Sequence, residues 1–193
     1  MYRIVEFSHY LINDFLNSFS KDQNLLCIDA TLGNGNDALY IIEKASKFKI
    51  QNCQVIGYEI QDLAIRNTME KVEKLKISNL IIKKQSHEFI DENDINLAIF
   101  NLGYLPGGSK EITTHASSTI KALKNLLPRM HQQMLIIIAV YIGHQEGYEE
   151  HLLIDDFVKN LESHDYFVTK FQNYNHPSSP YLITITHNKK SKI

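Results

Sequence analysis

The segment 29–38, DATLGNGNDA, most strongly constrains the fold of this chain. It overlaps the end of the short apolar run 25–30, which predicts a buried strand, and precedes residues with helical spacing that begin near Asn36. Glycine at a strand-to-helix junction allows a tight turn and lets the backbone approach a ligand, and the N–H groups of the helix start face that ligand. The segment therefore predicts a binding loop for a nucleotide cofactor.

Strand-like and helix-like runs alternate along most of the chain. Further strands are predicted at 55–60, 80–84, 97–101 and 134–141. The expected apolar faces of three helices are Phe7, Leu11, Phe15 and Phe19 in the first, Leu39, Ile42 and Ala45 in the second, and Leu153, Phe157 and Leu161 in the last. Such alternation is typical of a parallel sheet with helices on both faces.

The last two strand-like runs break this alternation. Only the stretch NHPSSP separates runs 166–174 and 181–187, and it is too short for a crossover helix, so the two strands must pair antiparallel. The predicted fold class is α/β: a doubly wound, mostly parallel, seven-stranded sheet with a C-terminal antiparallel hairpin. This predicted Rossmann-like architecture resembles that of class I S-adenosylmethionine methyltransferases. We expect one domain over 1–188 and a basic, frayed tail over 189–193.

The composition excludes several classes of protein. Hydrophobic residues make up 44% of the sequence and charged residues 22%, and no apolar run approaches the roughly twenty residues that a membrane helix needs. The N-terminus lacks the features of a secretory signal, so we expect a cytoplasmic protein with no membrane partner. Cys27 and Cys53 form no metal-binding pair and are expected to be buried and reduced, and no metal site is predicted. The net charge of −2 does not by itself indicate nucleic-acid binding.

A carboxylate supports the assignment of the glycine loop to an adenosine cofactor. Glu59 ends the second strand about twenty residues after the loop, where a carboxylate accepts hydrogen bonds from both hydroxyls of a ribose. Taken alone, the loop also fits GxGxxA, the pattern of nicotinamide dehydrogenases. Asn34, Asn36 and Asp37 favour S-adenosylmethionine, because amides and acceptors suit the ammonium and carboxylate of a methionine better than a pyrophosphate.

Other polar residues are expected at the same edge of the sheet, where the parallel strands end. Ser86 and His87 follow the third strand, and His87 either lines the adenosine pocket or is an exposed residue at a helix start. The predicted cofactor-binding residues are Asp29, Thr31, Gly33, Asn34, Gly35, Asn36, Asp37, Glu59, Gln61, Ser86, His87 and Asn101.

The segment 100–108, FNLGYLPGG, predicts the acceptor side of the site. It resembles the Asn-Pro-Pro-Tyr motif of amino-group methyltransferases, with Leu102 and Gly103 in the places of the prolines. The resemblance implies that Asn101 accepts a hydrogen bond from the target nitrogen and that Tyr104 packs on the acceptor base. Methyl transfer to a neutral amine needs its lone pair aimed at the methyl carbon, so positioning supplies much of the catalysis.

The loop after the fifth strand, YIGHQEGYEE at 141–150, should face the acceptor pocket. An amine that arrives protonated must first lose a proton, for which the candidate acceptors are solvent, His144 and Glu149, and the sequence does not choose between them. For His9, packing against the protein and contact with the substrate are about equally favoured roles. The predicted catalytic residues are Asn101, Tyr104 and His144, and the predicted substrate-binding residues are His9, Tyr104, Pro106, Gly107, Tyr141, His144 and Glu149.

Four motifs in order, DATLGNGND, NLGYLPGG, YIGHQEGYEE and NHPSSPYL, resemble those of the small bacterial rRNA methylase family over almost all of the chain. The resemblance implies S-adenosylmethionine-dependent methylation of the aminomethyl group of 5-aminomethyl-2-thiouridine at wobble position 34 of tRNA, giving 5-methylaminomethyl-2-thiouridine. It also implies an anticodon stem-loop as partner and, by analogy, a homodimer. Alternatives are N-methylation of rRNA or of a small amine, and a noncatalytic RNA-binding module on the same fold.

Overall fold

The computed structural model describes residues 4–102, 116–142 and 145–188. The helices are α1 (Ile4–Asn17), α2 (Asn36–Lys47), α3 (Asp62–Leu75), α4 (Ala116–Leu126) and α5 (Gln145–Lys159), with short 3₁₀ helices at His87–Phe89 and Leu127–Arg129. The strands are β1 (Asn24–Asp29), β2 (Asn52–Glu59), β3 (Leu80–Lys84), β4 (Ile95–Leu102), β5 (Met130–Val140), β6 (Tyr166–Phe171) and β7 (Tyr181–His187). Over the described ranges, no helix is both long and apolar enough to cross a membrane.

The strands form one seven-stranded sheet in the order β3-β2-β1-β4-β5-β7-β6. The first five strands pair in parallel, whereas β7 pairs antiparallel with both β5 and β6. The predicted fold class, including the antiparallel hairpin at the C-terminus, is confirmed. The sheet contains β7 in its interior, because β7 inserts between β5 and the edge strand β6.

The strand order reverses between β1 and β4. From β1 the chain winds outward through β2 to β3, and from β4 it winds the other way to β5. In an open α/β sheet, the loops that leave the strands at such a point diverge and leave a crevice at the carboxyl edge, where ligands bind. The loop after β1 and the end of β4 both lie at this crevice.

The core consists of two layers, one on each face of the sheet. Neighbouring residues of a strand face opposite layers, so that Cys27 packs with α1 and α2 whereas Ile28 packs in the layer of α4 and α5. Burial of both faces explains why β4 is apolar almost throughout instead of alternating. Cys27 and Cys53 are both buried and free, as expected.

The helices bury faces that match the predicted ones only in part; Ala45 of α2 is buried as predicted. In α1 the fully buried apolar residues are Ile12 and Leu16, and Phe7, Leu11 and Phe15 are only partly buried beside them; Phe19 is buried as predicted but lies beyond the end of the helix. The buried residues of α2 are Ala38, Ile41 and Ala45, and α5 buries Ile154 and Val158 whereas Leu153 is 54% exposed. Apolar residues also lie beside each buried face, so the periodicity of the sequence fits two helix faces that are shifted by about one residue. Packing of the helix on the sheet determines which of the two is buried.

Candidate active site

The loop between β1 and α2 is held at both ends by one carboxylate. Asp29, the last residue of β1, accepts hydrogen bonds from the backbone N–H groups of Thr31 and Ala38, each at 3.2 Å. Between these points the chain turns through Gly33 and Gly35, whose φ angles of 49° and 75° lie in the left-handed region that favours glycine. The loop therefore contains the tight turn that its glycine residues predict.

Gly35 also lies against a buried side chain of α3. A Cβ atom at Gly35 would lie 2.6 Å from Cγ2 of Thr68, which is fully buried. We expect Gly35→Ala to lower the free energy of unfolding by about 1–3 kcal/mol, because it combines left-handed backbone strain with overpacking. Urea unfolding measures this loss. The double variant Gly35→Ala/Thr68→Ser lacks Cγ2 of Thr68, the closest atom, and should recover part of the lost stability. A Gly35→Ala variant as stable as the wild type would contradict the described contact.

Asp29 lies in a cluster of acidic groups. Its carboxyl is 1% exposed, and burial raises its pKa to about 8, with further contributions from the negative charges of Asp37 and Glu59. Hydrogen bonds from the loop backbone oppose this rise only in part. This acidic cluster favours a cationic ligand at the crevice, because a nearby positive charge would stabilise the ionised form of Asp29.

Glu59 is held rigidly at the end of β2. One oxygen accepts the backbone N–H of Gly33 at 2.9 Å, and the other accepts those of Ile60 and Gln61, both at 2.8 Å. A carboxylate has about four lone-pair sites, so this arrangement leaves capacity for a hydroxyl donor. The carboxylate thus connects the glycine loop with the start of α3, beside the crevice.

Side chains of α3 support the loop from outside. The Lys71 ammonium donates to the backbone carbonyl of Asn34 at 2.7 Å and to Oδ1 of Asn36 at 3.0 Å. Asn67 donates to Oδ1 of Asn34, and Thr68 donates to the carbonyl of Gly33, both at 3.0 Å. The side-chain oxygens of the two loop asparagines therefore contact α3, and their contact with a methionine moiety stays a prediction. Sequence reasoning missed these α3 residues, because only the fold brings them to the loop.

His87 lies at the start of a 3₁₀ helix that Ser86 caps, but it is buried and not exposed. Its ring packs edge-on against Phe100 with centroids 5.8 Å apart, and its Nε2 has no hydrogen-bond partner among the described residues. Burial lowers the pKa of the imidazole to about 4, although a hydrogen bond to the backbone of Ala30 opposes the shift. His87 is therefore neutral near pH 7.

The lowered pKa of His87 predicts sensitivity to acid. Between about pH 6.5 and about pH 4 the unfolded chain binds a proton at this residue that the folded chain does not, so stability is lost as pH falls. The loss amounts to about 3 kcal/mol at most. Thermal unfolding of His87→Gln should show a smaller decrease over this range than the wild type. His164→Gln, at a histidine whose side chain is 72% exposed, is the control and should behave like the wild type.

The acceptor side brings together residues from four parts of the chain. The backbone N–H of Asn101, near the end of β4, donates to Oγ1 of Thr31 at 2.7 Å, and its Nδ2 donates to Oδ2 of Asp37 at 2.5 Å. The other oxygen of Asp37 lies 2.6 Å from Nε2 of His9 in α1. Tyr141, directly after β5, is half-buried, and burial together with the charge of Asp37 raises its pKa.

Tyr40 is a residue of this group that sequence reasoning missed. Its ring stacks on the ring of His9, with centroids 3.8 Å apart and planes 9° apart, and its hydroxyl donates to the backbone carbonyl of His9 at 3.3 Å. The available signal was its position in α2, one helical turn after Asp37. The predicted residues Tyr104, Pro106, Gly107 and His144 lie outside the described residues, as does the side chain of Glu149.

The fold and this crevice are those of a class I methyltransferase. A parallel sheet with an antiparallel end, a glycine loop after β1 and an acidic residue ending β2 occur together here. The family model described as "Putative rRNA methylase" matches residues 55–187, and the chain belongs to that family.

Solved structures and a curated protein agree with this assignment. The chain is 29% identical to a putative rRNA methylase from Clostridium thermocellum, with a TM-score of 0.83 and coverage of 97% of this chain and 99% of that one. It is 32% identical, with a TM-score of 0.80 and the same coverage, to a putative methyltransferase from Streptococcus mutans solved in complex with SAH. It is 36% identical over 168 residues to the chloroplastic tRNA (mnm(5)s(2)U34)-methyltransferase of Arabidopsis thaliana, an alignment that spans 81% of this chain and 61% of the relative.

These findings confirm the predicted family and S-adenosylmethionine as the cofactor of such a methyltransferase. They favour methyl transfer over the dehydrogenase interpretation of the glycine loop. The roles of individual site residues stay predictions.

Proposed function

We propose that this chain is an S-adenosylmethionine-dependent methyltransferase of RNA that methylates the aminomethyl group of 5-aminomethyl-2-thiouridine at tRNA position 34. The observation that carries the proposal is the Asn101 amide at the carboxyl edge of β4, held by Asp37 so that its oxygen is turned away from the carboxylate. The name of the Arabidopsis relative, which specifies U34 of tRNA, supports the wobble uridine as substrate.

The residues of the crevice fit S-adenosylmethionine. The three carboxyl groups of Asp29, Asp37 and Glu59 favour a cation, and Glu59 retains capacity for a ribose hydroxyl. The loop over 33–37 would hold the methionine end, and Gln61, Ser86 and His87 would line the adenosine pocket. When bound, S-adenosylmethionine supplies an electrophilic methyl group on a positively charged sulfur.

The chain's own contribution to the reaction is positioning. Asn101 Oδ1 would accept an N–H of the target amine, which orients the nitrogen lone pair. An aminomethyl group that arrives protonated must first lose a proton to expose its lone pair, and solvent, His144 and Glu149 remain the candidate acceptors.

The proposed partner is the anticodon stem-loop of a tRNA. An unpaired base can leave the stack and enter a pocket, so a small single-stranded target suffices for recognition. A homodimer and a cytoplasmic location belong to the same proposal; the Arabidopsis relative is chloroplastic by name.

Methylation of defined tRNA tests the proposal. Purified protein is incubated with labelled S-adenosylmethionine and tRNA that carries 5-aminomethyl-2-thiouridine, and the nucleosides are analysed by mass spectrometry. We expect 5-methylaminomethyl-2-thiouridine. The matched control is the same tRNA with unmodified uridine at position 34, which should accept no label. A folded protein that binds the cofactor but makes no such product would contradict the proposal.

Ribosomal RNA is the second candidate substrate, because the family description names it. Equal amounts of rRNA and aminomethyl tRNA in one reaction distinguish the two. If only the rRNA is labelled, rRNA and not tRNA is the substrate. If neither RNA is labelled although the protein binds RNA, the protein is a noncatalytic RNA-binding module.

A further inference from the structure

We propose that His9 and Asp37 act as positioning residues that fix the orientation of the Asn101 side-chain amide, so that its oxygen faces the acceptor nitrogen. The use of this orientation in catalysis rests on the proposed amine methylation. The orientation itself is a property of the protein alone.

The hydrogen bonds of the three side chains define the orientation. A carboxylate only accepts hydrogen bonds, so the group of Asn101 that faces Asp37 Oδ2 must be the NH₂. The backbone N–H of Asn101 is bonded to Oγ1 of Thr31, which fixes the position from which the side chain extends. Oδ1 of Asn101 is therefore directed away from Asp37.

His9 fixes the carboxylate in turn. Its Nε2 lies 2.6 Å from Oδ1 of Asp37, and because Asp37 only accepts, the imidazole must donate there. Stacking on the ring of Tyr40 holds the imidazole in place, and the Tyr40 hydroxyl donates to the backbone carbonyl of His9. The pair is largely shielded, with side-chain exposures of 25% for His9 and 13% for Asp37, so solvent competes weakly for these bonds.

The fixed orientation matters because the two orientations of a carboxamide have almost the same shape. Packing cannot distinguish them, and only hydrogen bonding selects one. With Oδ1 toward the amine, Asn101 accepts an N–H and leaves the lone pair free for the methyl carbon. With NH₂ toward the amine, Asn101 would donate to that lone pair and compete with the reaction. Loss of either His9 or Asp37 should therefore slow the methyl transfer step.

Nuclear magnetic resonance tests the orientation without RNA. In the ¹⁵N-labelled wild type, one proton of the Asn101 amide should resonate well downfield of the other, because it is bonded to a carboxylate at short distance. His9→Phe keeps an aromatic ring against Tyr40 but removes the nitrogen, and should reduce this separation. His164→Phe, at an exposed histidine, is the control and should leave it unchanged. An unchanged separation in His9→Phe would overturn the proposal.

Kinetics tests the consequence. At saturating S-adenosylmethionine, His9→Phe should lower kcat by about tenfold to a hundredfold, the usual effect of losing a supporting hydrogen bond. Its affinity for S-adenosylhomocysteine should fall much less than kcat, because the variant keeps the Asp37 carboxylate and loses only the bond that orients it. Equal losses of affinity and rate would indicate a merely structural role and overturn the proposal.

An exchange of the two facing groups is the sharpest variant. Asp37→Asn and Asn101→Asp alone should both be slow, because the first pairs two amides without a fixed orientation and the second opposes two carboxylates. The double variant Asp37→Asn/Asn101→Asp restores one donor facing one acceptor and should exceed both single variants in kcat at least about fivefold. A double variant no faster than either single one contradicts the positioning role. If no RNA is methylated even by the wild type, the proposed function fails while the resonance measurement still decides the orientation.

Discussion

Replacing Asn101 with alanine should lower kcat for methyl transfer by at least about a hundredfold, the effect typical of removing one preorganised hydrogen-bonding group from a catalytic site. The amine would lose the acceptor that orients its lone pair. Single-turnover measurements with the wobble-modified tRNA give the rate of the chemical step. Calorimetry with S-adenosylhomocysteine should show that the variant still binds the cofactor product.

Asn96 on the same strand provides the matched control. It is a buried asparagine that accepts from the backbone of Leu26 at 3.0 Å and donates to the carbonyl of Gln133 at 3.3 Å, at the end of β4 away from the crevice. Asn96→Ala should lower the unfolding temperature and leave kcat unchanged at temperatures where the variant is folded. A rate loss in Asn96→Ala as large as that in Asn101→Ala would show that the strand, and not the Asn101 amide, carries the effect.

The affinity for S-adenosylmethionine should rise with pH between about pH 5.5 and 7.5, by up to about tenfold per pH unit. Asp29 is protonated in the free protein over this range, because its pKa is raised to about 8. A nearby positive charge favours the ionised form, so binding of the sulfonium should release the proton from Asp29. A reaction that releases a proton becomes more favourable as pH rises, up to the pKa of the free protein.

S-adenosylhomocysteine is the control ligand, since its sulfur is neutral. Its affinity should depend less on pH than that of S-adenosylmethionine, and titration in buffers with different ionisation heats should show less proton release. In Asp29→Asn, with folding verified by circular dichroism, the two ligands should show the same dependence. Equal slopes for both ligands in the wild type would contradict the link between Asp29 and the sulfonium.

Several parts of the site were predictable from local sequence. The loop over 29–38 follows a strand and precedes a helix, and glycine is the residue that tolerates the φ angles found at 33 and 35. Glu59 was identified by its position at a strand end and Asn101 by the resemblance of its segment to the Asn-Pro-Pro-Tyr motif, and the parallel order of the strands brings both residues to one edge. Local pattern and strand order together therefore suffice to locate the crevice.

The surroundings of these residues were not predictable in the same way. His87 was open between a pocket residue and an exposed one, and it is buried because the 3₁₀ helix places its ring against Phe100. Asn34 and Asn36 were expected to serve the cofactor, yet their side-chain oxygens contact residues of α3. These outcomes depend on contacts between residues far apart in the chain. Periodicity and spacing describe only residues that are close in sequence and do not predict such contacts.

The chain by itself determined the alternation of strands and helices, the antiparallel ending and the position of the glycine loop, because these depend on periodicity, turn residues and connection length. The tertiary structure alone decided which face each helix buries and which side chains meet at the crevice. His9 and Asn101 are separated by most of the parallel part of the sheet, and only the docking of α1 beside α2 brings both to Asp37. The contact of these three side chains sets the orientation of the Asn101 amide, because hydrogen bonding and not shape distinguishes its two orientations.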